Sequence, residues 1–360
     1  MRREAALTAP IVLGAGPAGS AAAVLLARGG AAPVLIDRDA EVGDALCGGF
    51  MSWRTDSALR ELGVDVAALG AQRVDRLALF AGATRAEASL PEPAWGLSRH
   101  ALDSALRRLA IEAGAQLEID RARHVAPGIV EGERHDWRSD TIFLATGKHD
   151  VRGEGRPRQS ADPALGLRIR VPAGACASAL ANTIELHFFD GGYAGIVVQE
   201  DGSANICLAL RKSLLAEAGG TPRALLDGLA ERHAAFGKRM AHAAPDLPID
   251  TIGAVPYGWI ARDTVPGLYR LGDQAAVIPS LAGEGMGIAL TSARMAAEAF
   301  LAGRSASDYQ RSFARRAARP VAVANMVWKL AERPATGQGL ARLAHAVPRL
   351  ADVAMRLSRI

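Results

Sequence analysis

Two glycine-rich stretches, each joined to a helix and each accompanied by an acid, are where this 360-residue sequence could do chemistry. The first is Gly14-Ala15-Gly16-Pro17-Ala18-Gly19, with Asp37 lying 18 residues beyond Gly19 and Arg38 directly after it. Gly14 suits a tight turn, Gly16 lets backbone approach a pyrophosphate, and Gly19 lets a helix pack closely on a strand. The free N–H groups and positive dipole end of such a helix start favour phosphate. Asp37 is placed to accept hydrogen bonds from ribose hydroxyls. The second stretch is Gly272-Asp273, then Pro279, then Gly283-Glu284-Gly285-Met286. Here too an acid at a strand end can hold hydroxyls, and a helix start can face an anion.

The elements around these residues fit those tasks. Pro10 to Leu13 reads as a short buried strand, Ser20 to Arg28 as a helix ended by Gly29-Gly30, and Pro33 to Asp37 as a second strand. Strand, glycine turn, helix, strand and acid is the context that a dinucleotide fingerprint requires. By itself it fits NAD and FAD equally. Gly267 to Asp273 reads as a strand, and a helix runs from Gly285 to about Leu301. In a flavoprotein the second acid would hold the ribityl hydroxyls, and the helix start would face the N1–C2=O edge of the ring and favour its reduced state. The two stretches together point to FAD.

These residues resemble a known group. The glycine fingerprint, Gly272-Asp273 and the run from Pro279 to Gly285 are similar to the flavoproteins that include p-hydroxybenzoate hydroxylase and the geranylgeranyl reductases, over most of residues 8 to 305. Cys47-Gly48-Gly49 and Gly283-Glu284-Gly285-Met286 resemble the geranylgeranyl reductase-like branch more than the aromatic hydroxylases. The resemblance implies further contacts. Leu97-Ser98-Arg99, ahead of Leu102-Asp103, resembles a helix start whose Arg touches the cofactor, against the alternative of an ordinary exposed helix start. Phe143 to Gly147, with Ala145 and Thr146, resembles the strand that closes over the nucleotide. Cys47 would lie near the flavin, as a contact and as a candidate for redox or acid chemistry. Tyr193, within Gly191 to Gly195, stands where the family places an aromatic facing the pocket, although the usual Trp and Phe-Pro beyond it are missing. A plain hairpin aromatic is the alternative. Lys148-His149-Asp150-Val151-Arg152 reads as a solvated charged loop rather than part of the site.

The fold class expected is α/β: a Rossmann-type FAD-binding domain with an interleaved mixed β-sheet substrate domain and a helical C-terminal tail. The boundaries are 1–70, 96–160 and 260–305 for the first, 71–95 and 161–259 for the second, and 306–360 for the tail. Alternating runs at 167–171, 184–189, 196–199 and 204–210 read as strands, with Asp190-Gly191-Gly192 and Asp201-Gly202-Ser203 as turns. Leu77 to Phe80 and Arg85 to Leu90 are expected to join that sheet, which in the resembled family roofs the flavin. In the tail, Arg342, Arg349 and Arg356 recur every seven residues, as do Leu343, Leu350 and Leu357, with Pro348 as an interruption. Such a helix docks on the body with its basic side in water, or touches a membrane surface that suits a lipophilic substrate.

With 49% hydrophobic and 22% charged residues the chain has the make-up of a folded soluble protein. Its net charge of +4 comes without a basic run interleaved with aromatics, which argues against nucleic acid. Cys47, Cys176 and Cys207 have neither metal-ligand nor disulfide-framework spacing, so no metal and a reducing cytoplasm are expected, with Cys176 and Cys207 as small core or surface residues. The uncharged stretch from Ala5 to Ala27 is broken by glycines and prolines and is too sparse in apolar residues to be a membrane span.

One fingerprint for two nucleotides means that NAD(P)H would bind transiently as reductant. The resemblance leaves two reactions: monooxygenation of a hydrophobic aromatic or polyketide-like molecule, which is the first expectation, and reduction of a C=C bond in a prenyl or lipid substrate. A halogenase or a non-catalytic flavin-binding protein is a third reading; Lys148, Lys212, Lys238 and Lys329 stand in no recognisable halogenase context. Leu186, Phe188, Val198 and Leu208 can each turn inward from the roof strands, with Tyr193 as one polar handle. That favours a hydrophobic small-molecule substrate with few charges.

Overall fold

Short strands of β-branched and apolar residues, covered on both faces, build a five-stranded sheet in which every pair is parallel. Its order is Leu268–Arg270, Ile142–Leu144, Ile11–Leu13, Val34–Asp37 and Gln116–Ile119. A computed structural model describes residues 9–157, 160–172 and 178–360; Cys176 lies outside the described residues. Ala21, Ala22 and Ala23 of the helix Pro17–Arg28 and Ala293 and Ala296 of the helix Gly285–Leu301 have no exposed surface. With so little side chain between them, the two helices pack on each other over the sheet. Their N-termini therefore converge near the C-terminal ends of Ile11–Leu13 and Leu268–Arg270, the edge where open parallel sheets bind ligands.

Phe143 anchors this layer. It is fully buried, its ring stacked on Tyr269 at 4.8 Å between centroids and set edge-on to Phe300 at 5.8 Å. Phe143→Ala is expected to destabilise the fold by about 3–5 kcal/mol, read as a lowered denaturation midpoint in protein of normal FAD content. A midpoint unchanged from the parent would remove Phe143 from the core.

The second sheet has eight strands, in the order Ile249–Val255, Ala164–Val171, Ala204–Arg211, Gly192–Val198, Thr183–Phe189, Gln72–Ala81, Thr84–Gly96 and Phe50–Met51. All neighbours are antiparallel except Thr183–Phe189 with Gln72–Ala81. Two expectations are corrected. The strand expected at 196–199 begins at Gly192, so Tyr193 lies in the second strand of the hairpin, paired with Phe188 and Ala209, and not in its turn. The segment expected at 85–90 extends over Thr84–Gly96, and Phe50–Met51 pairs with its far end, tying the loop after Asp37 to the roof.

The tail is three helices, Ala306–Ala331, Pro334–Ala346 and Pro348–Leu357. Pro348 opens a new helix at its first turn, where a missing N–H costs nothing. Arg342, Arg349 and Arg356 face water, but so do Leu343 (46% exposed) and Leu350 (49%), while Ser358, Arg359 and Ile360 are buried. Among the described residues, no helix is long and apolar enough to cross a membrane.

Candidate functional site

A cavity of about 1030 Å³ runs from the first glycine turn, between the two sheets, to the tail helices. Gly14, Gly16, Pro17, Ala18, Asp37 and Arg38 line one end of it. Cys47, Gly48, Arg99, Ala145, Thr146 and Gly147 line its flank, and Gly272, Asp273, Gly283, Gly285 and Met286 its middle. Tyr193 lies beyond them. Two residues expected at the cofactor do not line it. Gly19 acts from beneath: a Cβ there would stand 1.8 Å from the Gly14 carbonyl oxygen, so its absence lets the helix close on the turn. Glu284 has no exposed surface, and its carboxylate turns away to Arg359 at 2.9 Å. The helix start needs Gly285 and Met286 at the cavity; it uses the acid elsewhere.

The cradle fits a dinucleotide. The helices from Trp53 and Arg99 are capped by the hydroxyls of Ser52 and Ser98, whereas those from Pro17 and Gly285 carry no side-chain cap and no acid in their first turns. Their first N–H groups are left for an anion. Cβ atoms on Gly48, Gly147 or Gly285 would meet nothing within 4 Å, so those backbone faces lie open along the cavity. Asp37 braces the turn: the Ala15 N–H donates to its Oδ2 at 2.6 Å, and Arg107 lies 3.3 Å from its Oδ1.

Arg99 stands over this cradle, its Nη2 3.4 Å from where a Cβ on Gly16 would be. Its guanidinium grips Asp103 through Nε (2.8 Å) and Nη2 (2.6 Å). Burial opposes its charge, but the Asp103 carboxylate more than offsets that and holds Arg99 cationic. This is no ordinary exposed helix start.

Asp273 is fixed from behind. The buried Arg156 donates to the Asp273 carbonyl at 3.1 Å, to the Lys148 carbonyl at 2.7 Å and to Asp150 Oδ1 at 2.7 Å. Lys148 Nζ lies 3.8 Å from Asp273 Oδ2. The expectation of a solvated loop is corrected in part: Lys148, His149, Asp150 and Val151 line the cavity, although His149 and Asp150, like Arg152, are exposed. Burial, together with Arg38, Lys148 and Arg156, pushes the His149 pKa down, so the imidazole is neutral at pH 7.

The loop carrying Cys47 is held by residues that no motif announced. Asn205 Nδ2 donates to the carbonyls of Cys47 (3.0 Å) and Gly48 (2.8 Å). Arg168 donates to Asp44 Oδ2 at 2.8 Å, and the N–H groups of Arg99 and His100 reach Asp44 Oδ1 at 3.1 and 3.2 Å. Cys207 is not confined to the core. It lines the same cavity, and burial, with Cys47 adding to it, pushes its thiol up to about 12.

Residues 8–132 match the family described as FAD binding domain. The chain therefore carries an FAD-binding domain in its first third. It is 27% identical over 336 residues to digeranylgeranylglycerophospholipid reductase 2 of Methanopyrus kandleri, covering 85% of this chain and 80% of that relative. A geranylgeranyl bacteriochlorophyll reductase-like protein of Thermoplasma acidophilum shares the fold at a TM-score of 0.73 and 18% identity, over 96% of this chain and 98% of that one. The flavin-dependent brominase Bmp2 shares it at 0.76 and 16% identity, over 98% and 93%. FAD is the cofactor of this oxidoreductase.

Away from the cradle the cavity of this flavoprotein is apolar. Leu77, Leu79, Leu186 and Phe188 come from the roof sheet, and Leu340, Leu350 and Met355 from the tail, while Leu208, expected to face inward, packs on the opposite side of the sheet. Its polar feature is a chain of hydroxyls: Tyr193 OH donates to Ser280 Oγ at 2.8 Å, and Tyr257 OH lies 2.7 Å from the same oxygen. Trp328 sets its ring edge-on to both phenols, 5.7 Å between centroids in each case. Burial raises the pKa of both tyrosines, so both stay neutral. Three hydroxyl protons share two contacts, which leaves one O–H free to meet a ligand acceptor. Sequence reasoning found Tyr193 and missed its partners; Ser280, directly after Pro279 in a recognised stretch, was the available signal.

Proposed function

We propose that this oxidoreductase reduces a carbon–carbon double bond in an elongated hydrophobic substrate, with NAD(P)H as a transient reductant. The observation that carries the proposal is the wall of apolar side chains that continues from Leu186 and Phe188 to Leu343 and Leu350 at the surface, the lining Arg359 being paired with Glu284. A chain-like apolar molecule fits such a wall better than a compact aromatic ring does, and this ranks reduction above the hydroxylation expected first. The likeness to a digeranylgeranylglycerophospholipid reductase supports the same choice. FAD, when bound, supplies the two-electron chemistry. The chain's own part is to bind, to exclude water with the roof sheet and tail, and to orient substrate through the neutral Tyr193–Ser280–Tyr257 hydroxyls.

Turnover of NAD(P)H with polyprenyl and with aromatic compounds, with and without O₂ and followed by product mass, tests this. A product gaining two hydrogens without O₂ is expected; one gaining an oxygen atom, formed only with O₂, would overturn it in favour of hydroxylation. Tyr193→Phe keeps the ring and loses the hydroxyl, so turnover should fall roughly three- to tenfold, the worth of a neutral hydrogen bond of about 0.5–1.5 kcal/mol. FAD content should be unchanged, and an unaltered rate would make Tyr193 packing alone.

The exposed Leu343 and Leu350, which line the cavity, with Val347 and Val353 exposed in the same stretch of the tail, would let substrate be taken up at a lipid surface. Co-sedimentation with phospholipid vesicles tests that part, and recovery of the protein wholly in the supernatant would sink it.

A further inference from the structure

Glu284 and Arg359 form a fully buried pair that the flavin chemistry described above does not use. The Glu284 side chain lies along the first turn of the helix Gly285–Leu301; a Cβ on Gly287 would stand 2.4 Å from its Oε2, so that glycine makes room for the carboxylate. Glu284 precedes the helix without capping it. The charge is favoured chiefly by Arg359, 2.9 Å away, with the Ser52 hydroxyl and the Ile360 N–H adding to it. Arg359 is itself buried, donates to the Ala282 carbonyl, and lies over the Trp53 ring at 4.8 Å. Arg54, whose Nη1 reaches the Ile360 carbonyl at 3.5 Å, is the other charged group facing the pair. Ser52 is its uncharged polar neighbour.

The place of this pair matters more than its stability. Ala282, Gly283, Gly285 and Met286 line the cavity on either side of Glu284. Gly283 turns there at φ +65°, and a Cβ on it would meet the Phe50 ring at 2.7 Å. Arg359 reaches this turn from just beyond the helix Pro348–Leu357, which lines the apolar half through Ala351, Ala354 and Met355. We propose that Arg359 is a positioning residue for FAD: by neutralising Glu284, it keeps in place the turn at which the helix Gly285–Leu301 meets the cofactor. It also ties that turn to the wall of the substrate half.

Removing one partner of a buried pair leaves the other charge uncompensated, which costs far more than removing both. Burial already raises the Glu284 pKa, with Arg359 as the main opposing influence. In Arg359→Ala the carboxylate would thus titrate well above its usual range, since unpaired buried Glu reaches a pKa of about 8–9. FAD affinity, measured by titration of apoprotein between about pH 6 and pH 9, should then become pH-dependent. It should be weakened about tenfold or more at the alkaline end, where Glu284 is forced to carry charge, and recover toward the parent value as it protonates. The parent should stay flat over that range, as should Arg359→Lys, which keeps the charge. The double variant Arg359→Ala, Glu284→Gln has no buried charge left, and should regain both flatness and an affinity within about threefold of the parent. If Arg359→Ala does not fold, the double variant decides: FAD binding near the parent value supports the proposal. Parent-like affinity of Arg359→Ala at every pH overturns it. So does a loss of FAD that persists unchanged in the folded double variant.

Discussion

Gly16→Val is expected to give a folded, colourless protein. Gly16 has φ −76° and ψ −171°, extended backbone that valine adopts readily, and a Cβ there would meet nothing nearer than Arg99 Nη2 at 3.4 Å. The fold therefore accommodates the side chain, which occupies the space above the uncapped start of the helix Pro17–Arg28. A phosphate kept from that start loses at least two charge-assisted hydrogen bonds of about 1.5–3 kcal/mol each, so FAD affinity should fall by more than about 100-fold. Gly14 provides the contrast. At φ +102°, with a Cβ placed 2.6 Å from the Ala145 carbonyl oxygen, Gly14→Val would damage the fold itself. Visible absorbance after reconstitution, beside a thermal melt, separates the two variants. Gly16→Val that binds FAD like the parent, with an unchanged melt, would show that the cofactor does not use this turn.

The parts of the site that the sequence made legible are those that one stretch of backbone builds. Gly14, Gly16, Gly19 and Asp37 belong to a single βαβ unit, so their spacing already implies their geometry. Gly272 and Asp273 follow a strand directly, with the same result. The roof strands were legible through alternation, although their ends shifted once pairing extended Thr84–Gly96 to meet Phe50–Met51. The fasteners were not legible. Arg168 and Asn205 reach Asp44 and the Cys47 loop from more than 100 residues further along the chain, and nothing in their types or periodicity marks them. The charged run at 148–152 is exposed in part, and what brings it to the cavity is Arg156, several positions further on, which holds the Lys148 carbonyl. Glu284 shows that membership of a motif is not contact: its neighbours face the cavity, while its own carboxylate is claimed by a residue from the end of the tail.

The chemistry of the second half of the cavity is tested most sharply by Leu186→Asp. Leu186 faces the cavity from the strand Thr183–Phe189, next to Gly195. Its neighbours Glu185 and His187 point to the opposite side, where they form a buried group with Arg239. An aspartate at 186 would therefore stay in a cavity that water can fill and would not be pressed into the core, so the fold and the FAD end should be little affected. An apolar ligand, however, would have to strip water from the carboxylate, and Arg359, the cation of the tail that lines the cavity, is already paired with Glu284. Even partial desolvation at about 3 kcal/mol lowers affinity and kcat/KM by about 100-fold. Leu186→Ala separates lost contact from added charge: shortening one apolar side chain should cost only about 1–3 kcal/mol and less if the ligand shifts to fill the gap. The measurements are FAD content, and kcat/KM for the best substrate found in the polyprenyl and aromatic screen. If Leu186→Asp turned that substrate over as fast as the parent does, the substrate would not lie against this wall, and the polar end of the cavity would have to hold it.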